Sequence, residues 1–365
     1  MRVTNGAPGG GRHSMKVSNF VRVAGGLAFS VLGILLLAHA QPQGASYHLL
    51  KKVPLSATPG GEYFDYVYVD SAARRVYASH GTEVDVVDAD SGAQVGTIAG
   101  MKRCHGVALD KELGKGFITD GTAAEVVVFD IASLKVTGRV KGEPDADGIV
   151  FDPASKMIFA FNGDSKSVTV IDPAKESVVK SIPLGGGPEF PAADGKGIVY
   201  DNNEETNEVV AIDSKTLTIK SRWPVKPAGG PTALAMDTKS RRLFSSGRNP
   251  AMLVLMDADS GKVLQSFPIS AGVDANVFEP STGLLFVSTR EGKVHIFHED
   301  SPDKLSIVQT LDTEYGAKTM GVDLKTHNLY LTTADFGAAP AATPQQPNPP
   351  RRAILGTFHL LIYGR

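Results

Sequence analysis

From residue 47 onward the chain alternates short apolar runs with clusters of Asp, Gly, Ser and Pro. The runs are rich in Val, Ile, Phe and Tyr, residue types that fit a pleated, half-buried surface. No stretch after residue 40 keeps apolar positions at helical spacing over ten or more residues. The pattern predicts strands throughout.

The runs recur with a period of about 42 residues, in the range that marks propellers and other repeat architectures. One marker is an apolar run ending in an acid: VYVD at Asp70, VALD at Asp110, IVFD at Asp152, PAAD at Asp194, LAMD at Asp237, NVFE at Glu279 and GVDL around Asp323. A second follows at constant offset, ending at Asp88, Asp130, Asp172, Asp213, Asp257 and His298. Between the two lies a strand headed by Tyr77, Phe117, Phe159, Tyr200, Phe244, Phe286 or Tyr330, and after them an apolar segment such as VVKSIPL (178–184). Four strands in each of seven units predict an all-β fold, a seven-bladed β-propeller of four-stranded blades.

The seventh unit is one strand short at its end. The isolated run LLKKVPL (49–55) overlays VVKSIPL, with Lys51 on Lys180, Pro54 on Pro183 and Leu55 on Leu184. A lone strand exposes unpaired backbone groups that seek a partner. The N-terminal strand is therefore expected to complete the last blade, so that the propeller spans 47–365.

The aromatic-led strands carry a degenerate Tyr-Val-Thr-Asn motif. It reads Tyr77-Ala78-Ser79-His80, Phe117-Ile118-Thr119-Asp120, Phe159-Ala160-Phe161-Asn162, Tyr200-Asp201-Asn202-Asn203, Phe286-Val287-Ser288-Thr289 and Tyr330-Leu331-Thr332-Thr333, and VIDP stands at 170–173. With these motifs the chain resembles the YVTN-repeat β-propellers of the YncE-like group over essentially all of 47–365. The resemblance implies the fold and is almost silent on activity.

Residues 1–40 read as a signal peptide: basic Lys16 and Arg22, an apolar stretch from Val23 to Leu37, and Ala38-His39-Ala40 as the cleavage site. The apolar stretch is shorter than the roughly 20 residues a bilayer requires, so no membrane span is expected after cleavage. Residues 41–46 form a short tail, and the expected location is periplasmic or secreted. Removing four basic residues and no acid takes the net charge from −2 to −6. The YncE-like resemblance implies DNA as one partner of the group. The acidic charge and the lack of a basic cluster argue against nucleic acid here. With one cysteine, Cys104, there is no internal disulfide, and a monomer stabilised by burial is expected. The Pro-rich stretch 338–353 reads as a loop inserted in blade seven, either a solvated insertion or a docking arm for a partner that recognises extended Pro-rich chain.

Most of the repeated acids, such as Asp70, Asp88, Asp152, Asp237 and Asp257, open turns and fit as Asx-turn formers. A different ring carries more chemistry. Five residues before each first marker lie Asp65, His105, Asp147, Glu189, Thr232, Asp274 and Lys318, at the start of each innermost strand. All seven are expected to meet at one end of the central axis. Loops after the second strands are expected to bring His80, Asp120, Asn162, Asn202, Arg248 and Arg290 to the same end, with Asp335 as a further candidate. Clustered carboxylates raise one another's pKa unless a cation compensates. Lys318, Arg248, Arg290 or a divalent metal ion would serve, and mixed carboxylate and imidazole ligands suit such an ion.

Three readings follow: a solvated channel mouth, a binding site for a small molecule, ion or protein, and a metal-dependent hydrolytic centre like that of lactone-hydrolysing propellers. The second is the main expectation and the third its alternative, with Asp65, His105, Glu189 and Asp274 as ligands or bases. Cys104 and His105, adjacent on a strand, are expected to point to opposite faces rather than form a dyad.

Overall fold

The structure is a computed structural model that describes residues 46–58, 62–343, 346 and 349–365. The expected signal peptide and most of the short tail lie outside the described residues. Among the described residues there is no α-helix, and no helix is long and apolar enough to cross a membrane.

Among the described residues the strands form seven antiparallel sheets of four strands each. The first strand of each sheet packs against the first strands of its two neighbours, which closes a ring around a central axis. These inner strands are Phe64–Asp70, Cys104–Asp110, Ala146–Asp152, Pro188–Ala193, Pro231–Asp237, Val273–Glu279 and Met320–Val322. Six sheets are built from consecutive strands. The seventh takes its outer strand, His48–Pro54, from the start of the propeller and pairs it with His359–Gly364 near the chain's end.

That closure is pinned at both ends. Leu55 N–H donates to Phe358 O at 3.0 Å. Tyr47 exchanges two bonds with the Gln309 side chain, donates its hydroxyl to His327 O at 2.9 Å, and sets its ring edge-on to Phe286.

Strand alternation sends apolar residues to both faces of every blade, so the core forms as seven wedges between neighbouring blades rather than one central mass. Phe117, Phe159, Phe244 and Phe286, the heads of their strands, are fully buried in these wedges. Burial of each such side chain is worth about 1.5–3 kcal/mol. The turn acids behave as expected: Asp70 Oδ1 accepts the amides of Ala72 and Ala73, and Asp152 and Asp237 hold equivalent turns.

The Pro-rich insertion lies between Leu329–Thr333 and His359–Gly364. Its base is a pinned neck, with Phe336 bridged to Ala353 and Ile354 N–H donating to Asp335 O at 2.8 Å.

Candidate functional site

In six blades the pairing of inner and second strands slips at the same place, between Phe64 and Val67, Cys104 and Val107, Ala146 and Ile149, Pro188 and Pro191, Pro231 and Ala233, and Val273 and Ala275. A bulge re-aims the side chains at its extra residue. Asp65, His105, Asp147, Glu189, Thr232 and Asp274 all sit inside these bulges. Lys318 holds the corresponding position just ahead of Met320–Val322. Small residues follow some ring members because the inner strands nearly touch. A Cβ on Gly106 would lie 2.8 Å from the Ile149 side chain, and one on Gly148 would lie 2.4 Å from Glu189 O.

The outcome is one cavity of about 210 Å³ lined by all seven ring residues together with Tyr63, Tyr66, Arg103, Asp145, Arg248 and Thr319. His105 Nδ1 binds Asp65 Oδ2 at 2.8 Å, while Asp147 Oδ1 stands 3.0 Å from the same nitrogen without hydrogen-bond alignment. Tyr63 donates its hydroxyl to Asp65 Oδ2 at 3.0 Å, and Arg103 caps the Tyr63 ring. Lys318 Nζ bridges Asp65, at 3.0 Å, and Asp274. Arg248 also reaches Asp274, and its second nitrogen stands 3.7 Å from Glu204. Thr232 turns its hydroxyl back to Gly230 O at 3.0 Å.

Charge at the mouth is therefore compensated by the chain itself. Burial disfavours the His105 cation, yet Asp147 and Asp65 outweigh it and push its pKa up to about 10, so the ring is an imidazolium at neutral pH. Burial likewise opposes ionisation of Asp65, but Lys318 and His105 hold its carboxyl well below the usual range. Lys318 keeps its charge because Asp274 and Asp65 overcome the penalty of burial. Burial, the neighbouring Glu204 and the Asp147 charge push Glu189 up to about 10. Glu189 is thus a neutral hydrogen-bond donor among charged groups.

Beneath the mouth the axis narrows where the rings of Tyr66 and Phe190 meet at 5.2 Å, and Tyr66 donates its hydroxyl to Glu189 O at 3.2 Å. Beyond this constriction lies an apolar compartment of about 420 Å³, lined by residues such as Val107, Leu109, Val150 and Phe151. The channel is thus polar at one end and apolar beyond it.

Of the second group of candidates, only Arg248 lines the mouth. His80 is buried between blades, its ring stacked 3.8 Å from Phe358 and its Nε2 3.1 Å from Glu62. Asp120 spends its carboxylate on the amides of Lys102, Arg103 and Ala123. Asn162 bonds Ser167 and Thr169 within its own blade, and Asn202 donates to Ala233 O of the next blade at 2.8 Å. Arg290 and Asp335 are exposed away from the cavity, and Asp335 pairs with Lys52. These residues stand at or just beyond the ends of second strands, one layer out from the axis. From that layer only the long Arg248 side chain spans the distance, while His80, Asp120, Asn162 and Asn202 are spent fastening blades and turns. Cys104 and His105 do diverge. The thiol donates to Glu83 O and burial pushes its pKa up to about 12, while the imidazole faces the axis.

Tyr63, Arg103, Asp145 and Glu204 escaped the sequence reading. Tyr63, Arg103 and Asp145 each stand two residues before a ring member, where the other blades place Gly187, Gly230, Gly272 and Gly316, so their offset was present in the sequence, whereas Glu204 opens a turn beyond its strand. The signal for Tyr66 and Phe190 was present, as each directly follows a ring residue where other blades place Gly106, Gly148, Ala233 and Ala275.

No protein-family model matches the chain, and no curated protein sequence matches it. Among solved structures it is similar to the WD40 repeats of RRP9, with a TM-score of 0.68 and 11% identity, over 87% of this chain and 97% of that one. It is also similar to hydrazine synthase of Kuenenia stuttgartiensis, with a TM-score of 0.64 and 14% identity, over 78% of this chain and 96% of that one. At such identities the likeness defines the class by fold alone: the chain is a seven-bladed β-propeller, an architecture suited to a binding scaffold.

Proposed function

We propose that the chain is an exported, monomeric, non-catalytic propeller of the YVTN-repeat, YncE-like type that binds a small polar ligand at its axial mouth. One observation carries this reading. The mouth offers a protonated Glu189 beside Arg248, Lys318 and the carboxylates of Asp147 and Asp274, so donors and acceptors converge on a cavity of about 210 Å³. Pockets for drug-sized ligands run to roughly 300–1,000 Å³, so this one suits a few-carbon hydroxylated or carboxylated molecule. Closed sheets hold the groups in fixed geometry, which lowers the ordering cost of binding.

A second reading, metal-dependent hydrolysis, draws on Asp65, His105 and Asp147, whose ligand atoms lie within 4.8 Å of one another. Against it, the imidazolium of His105 already stands between those carboxylates, and the ammonium of Lys318 already pairs with Asp65.

A thermal-shift screen of sugar acids, lactones and divalent metals separates the two. Stabilisation by an organic acid or polyol that disappears in both His105→Ala and Glu189→Ala supports binding at the mouth. Shifts unchanged in both variants place the site elsewhere, and chelator-sensitive lactone turnover would establish the hydrolytic reading. A periplasmic reporter fused after residue 46 tests export.

A further inference from the structure

Away from the axis, three side chains of one hairpin in blade one present a different kind of cluster. Arg75–His80 and Glu83–Asp88 pair so that His80 stands opposite Glu83 and Ala78 opposite Asp85. One nitrogen of His80 and one carboxylate oxygen each from Glu83 and Asp85 all lie within 4.8 Å of one another. His80 and Asp85 are fully buried and Glu83 is half-buried.

Two atoms in this cluster lack hydrogen-bond partners although no water can reach them: His80 Nδ1 and Asp85 Oδ2. They face each other at 3.4 Å, without hydrogen-bond alignment. Their remaining polar atoms are satisfied. His80 Nε2 stands 3.1 Å from Glu62 Oε2, and Asp85 Oδ1 accepts Gln94 Nε2 at 2.6 Å. A ring that donates Nε2–H to a carboxylate leaves the Nδ1 lone pair exposed. A lone pair and a carboxylate oxygen turned toward each other in a dry site are costly unless something positive lies between them. At the axial mouth that role falls to Lys318 and Arg248. Here, among the described residues, neither Glu83 nor Asp85 pairs with a lysine or arginine.

We infer that His80, Glu83 and Asp85 form a binding site for one divalent transition-metal ion of the zinc type, separate from the axial mouth. Ligand atoms about 2.0–2.1 Å from a tetrahedral ion stand roughly 3.3–3.4 Å apart, which matches the spacing of His80 Nδ1 and Asp85 Oδ2. The mixed imidazole and carboxylate donors favour such an ion over calcium or magnesium, which take more oxygen ligands. The outer supports are those of a metal centre: a carboxylate orients the ligating imidazole from behind, and Gln94 holds the ligating aspartate. The ring of His80 is fixed by stacking on Phe358 of the last blade, and Glu62 also receives the Gly356 amide at the end of the Pro-rich insertion. An ion here ties the first blade to the segment that closes the ring, so its binding adds to the stability of closure.

The test uses chelator-stripped full-length protein titrated with Co²⁺ and then Zn²⁺. The expected result is one equivalent of Co²⁺ with the visible spectrum of a four-coordinate ion, displaced by Zn²⁺, and a raised unfolding midpoint with either ion. Glu83→Gln and Asp85→Asn abolish this uptake, Glu62→Gln weakens it about ten- to a hundredfold, and Asp147→Asn at the axial mouth retains one equivalent. If Asp85→Asn does not fold, the half-exposed Glu83→Gln decides. Absence of stoichiometric uptake by folded wild-type protein overturns the inference, and so does uptake that survives Glu83→Gln.

Discussion

Lys318 Nζ stands 3.0 Å from Asp65 Oδ1 although 253 residues separate the two in the chain. One belongs to the last blade and the other to the first, so this ion pair exists only because the ring closes. Closure and site are thus one construction: the strand His48–Pro54 completes the blade that presents Lys318 to the axis, and the first bulge of the propeller presents Asp65 to meet it.

Replacing Lys318 by Met leaves the buried carboxylates of Asp65 and Asp274 without the ammonium that bridges them. Removing one partner of a buried pair costs about 3–5 kcal/mol because the other is left uncompensated. Urea denaturation at neutral pH is expected to show a loss of that order, partly recovered at low pH where the carboxylates are protonated. Unchanged stability would mean that water, not Lys318, supports those charges.

Rising pH is expected to weaken the fold through two groups at the mouth. His105 titrates near 6.5 when unfolded and at about 10 when folded, so its stabilisation is complete below about pH 6.5 and is lost toward pH 10. Glu189, raised from 4.5 to about 10, also holds a proton in the folded state that the unfolded state has released, so it too lowers stability as pH rises across that window. Each group contributes a slope of about 1 kcal/mol per pH unit where the two states differ by one proton. Denaturation midpoints from pH 7 to 9.5 should fall in wild type and fall less in Glu189→Gln, which cannot ionise.

The repeat made the blades, the closing strand and the seven ring positions readable, because each recurs in register and a single offset from the acid marker locates every ring member. Ser79 and Thr119 repeat a further device, donating their hydroxyls to the ring carbonyls of His105 and Asp147 in the next blade, which fixes where those side chains emerge. What the period did not carry was everything specific to one blade. Tyr63 and Arg103 precede their strands, Glu204 comes from a turn, and the aromatic constriction of Tyr66 and Phe190 depends on glycines in the blades between them. His80 and Asp120 shared the repeat's spacing, but they are spent on Glu62 and on the amides of Lys102, Arg103 and Ala123, and from the second strands only the long Arg248 side chain reaches the mouth.

Deleting residues 47–55 is expected to leave His359–Gly364 as an exposed apolar edge and to remove the Tyr47 contacts to Gln309, His327 and Phe286. Unpaired edges of this kind template association. The truncated protein should elute as oligomers or aggregate, and a synthetic peptide spanning 46–56 should restore monomer in size-exclusion chromatography. A monomeric truncation of wild-type stability would show that the last blade stands without its borrowed strand.

Asp201 occupies a position that the other blades fill with Ala78, Ile118, Ala160, Ser245, Val287 and Leu331. It is fully buried, neither carboxylate oxygen has a hydrogen-bond partner, and its strand neighbours are Pro191 and Val210. Burial raises its pKa well above the aspartate range, against the opposing pull of the Glu189 backbone. The unfolded chain ionises within that range, which makes Asp201 a stability loss that grows as pH rises above it. An unsatisfied buried polar group costs about 1–3 kcal/mol. Asp201→Val removes both penalties, and since valine recurs at the equivalent Val287 it fits the strand. The variant is expected to gain stability at pH 7 by more than that amount and to keep only the pH-independent part of the gain, about 1–3 kcal/mol, near pH 4, measured by urea denaturation at the two pH values. A destabilised variant would show that the Asp201 carboxyl has a partner which the hydrogen-bond geometry does not reveal.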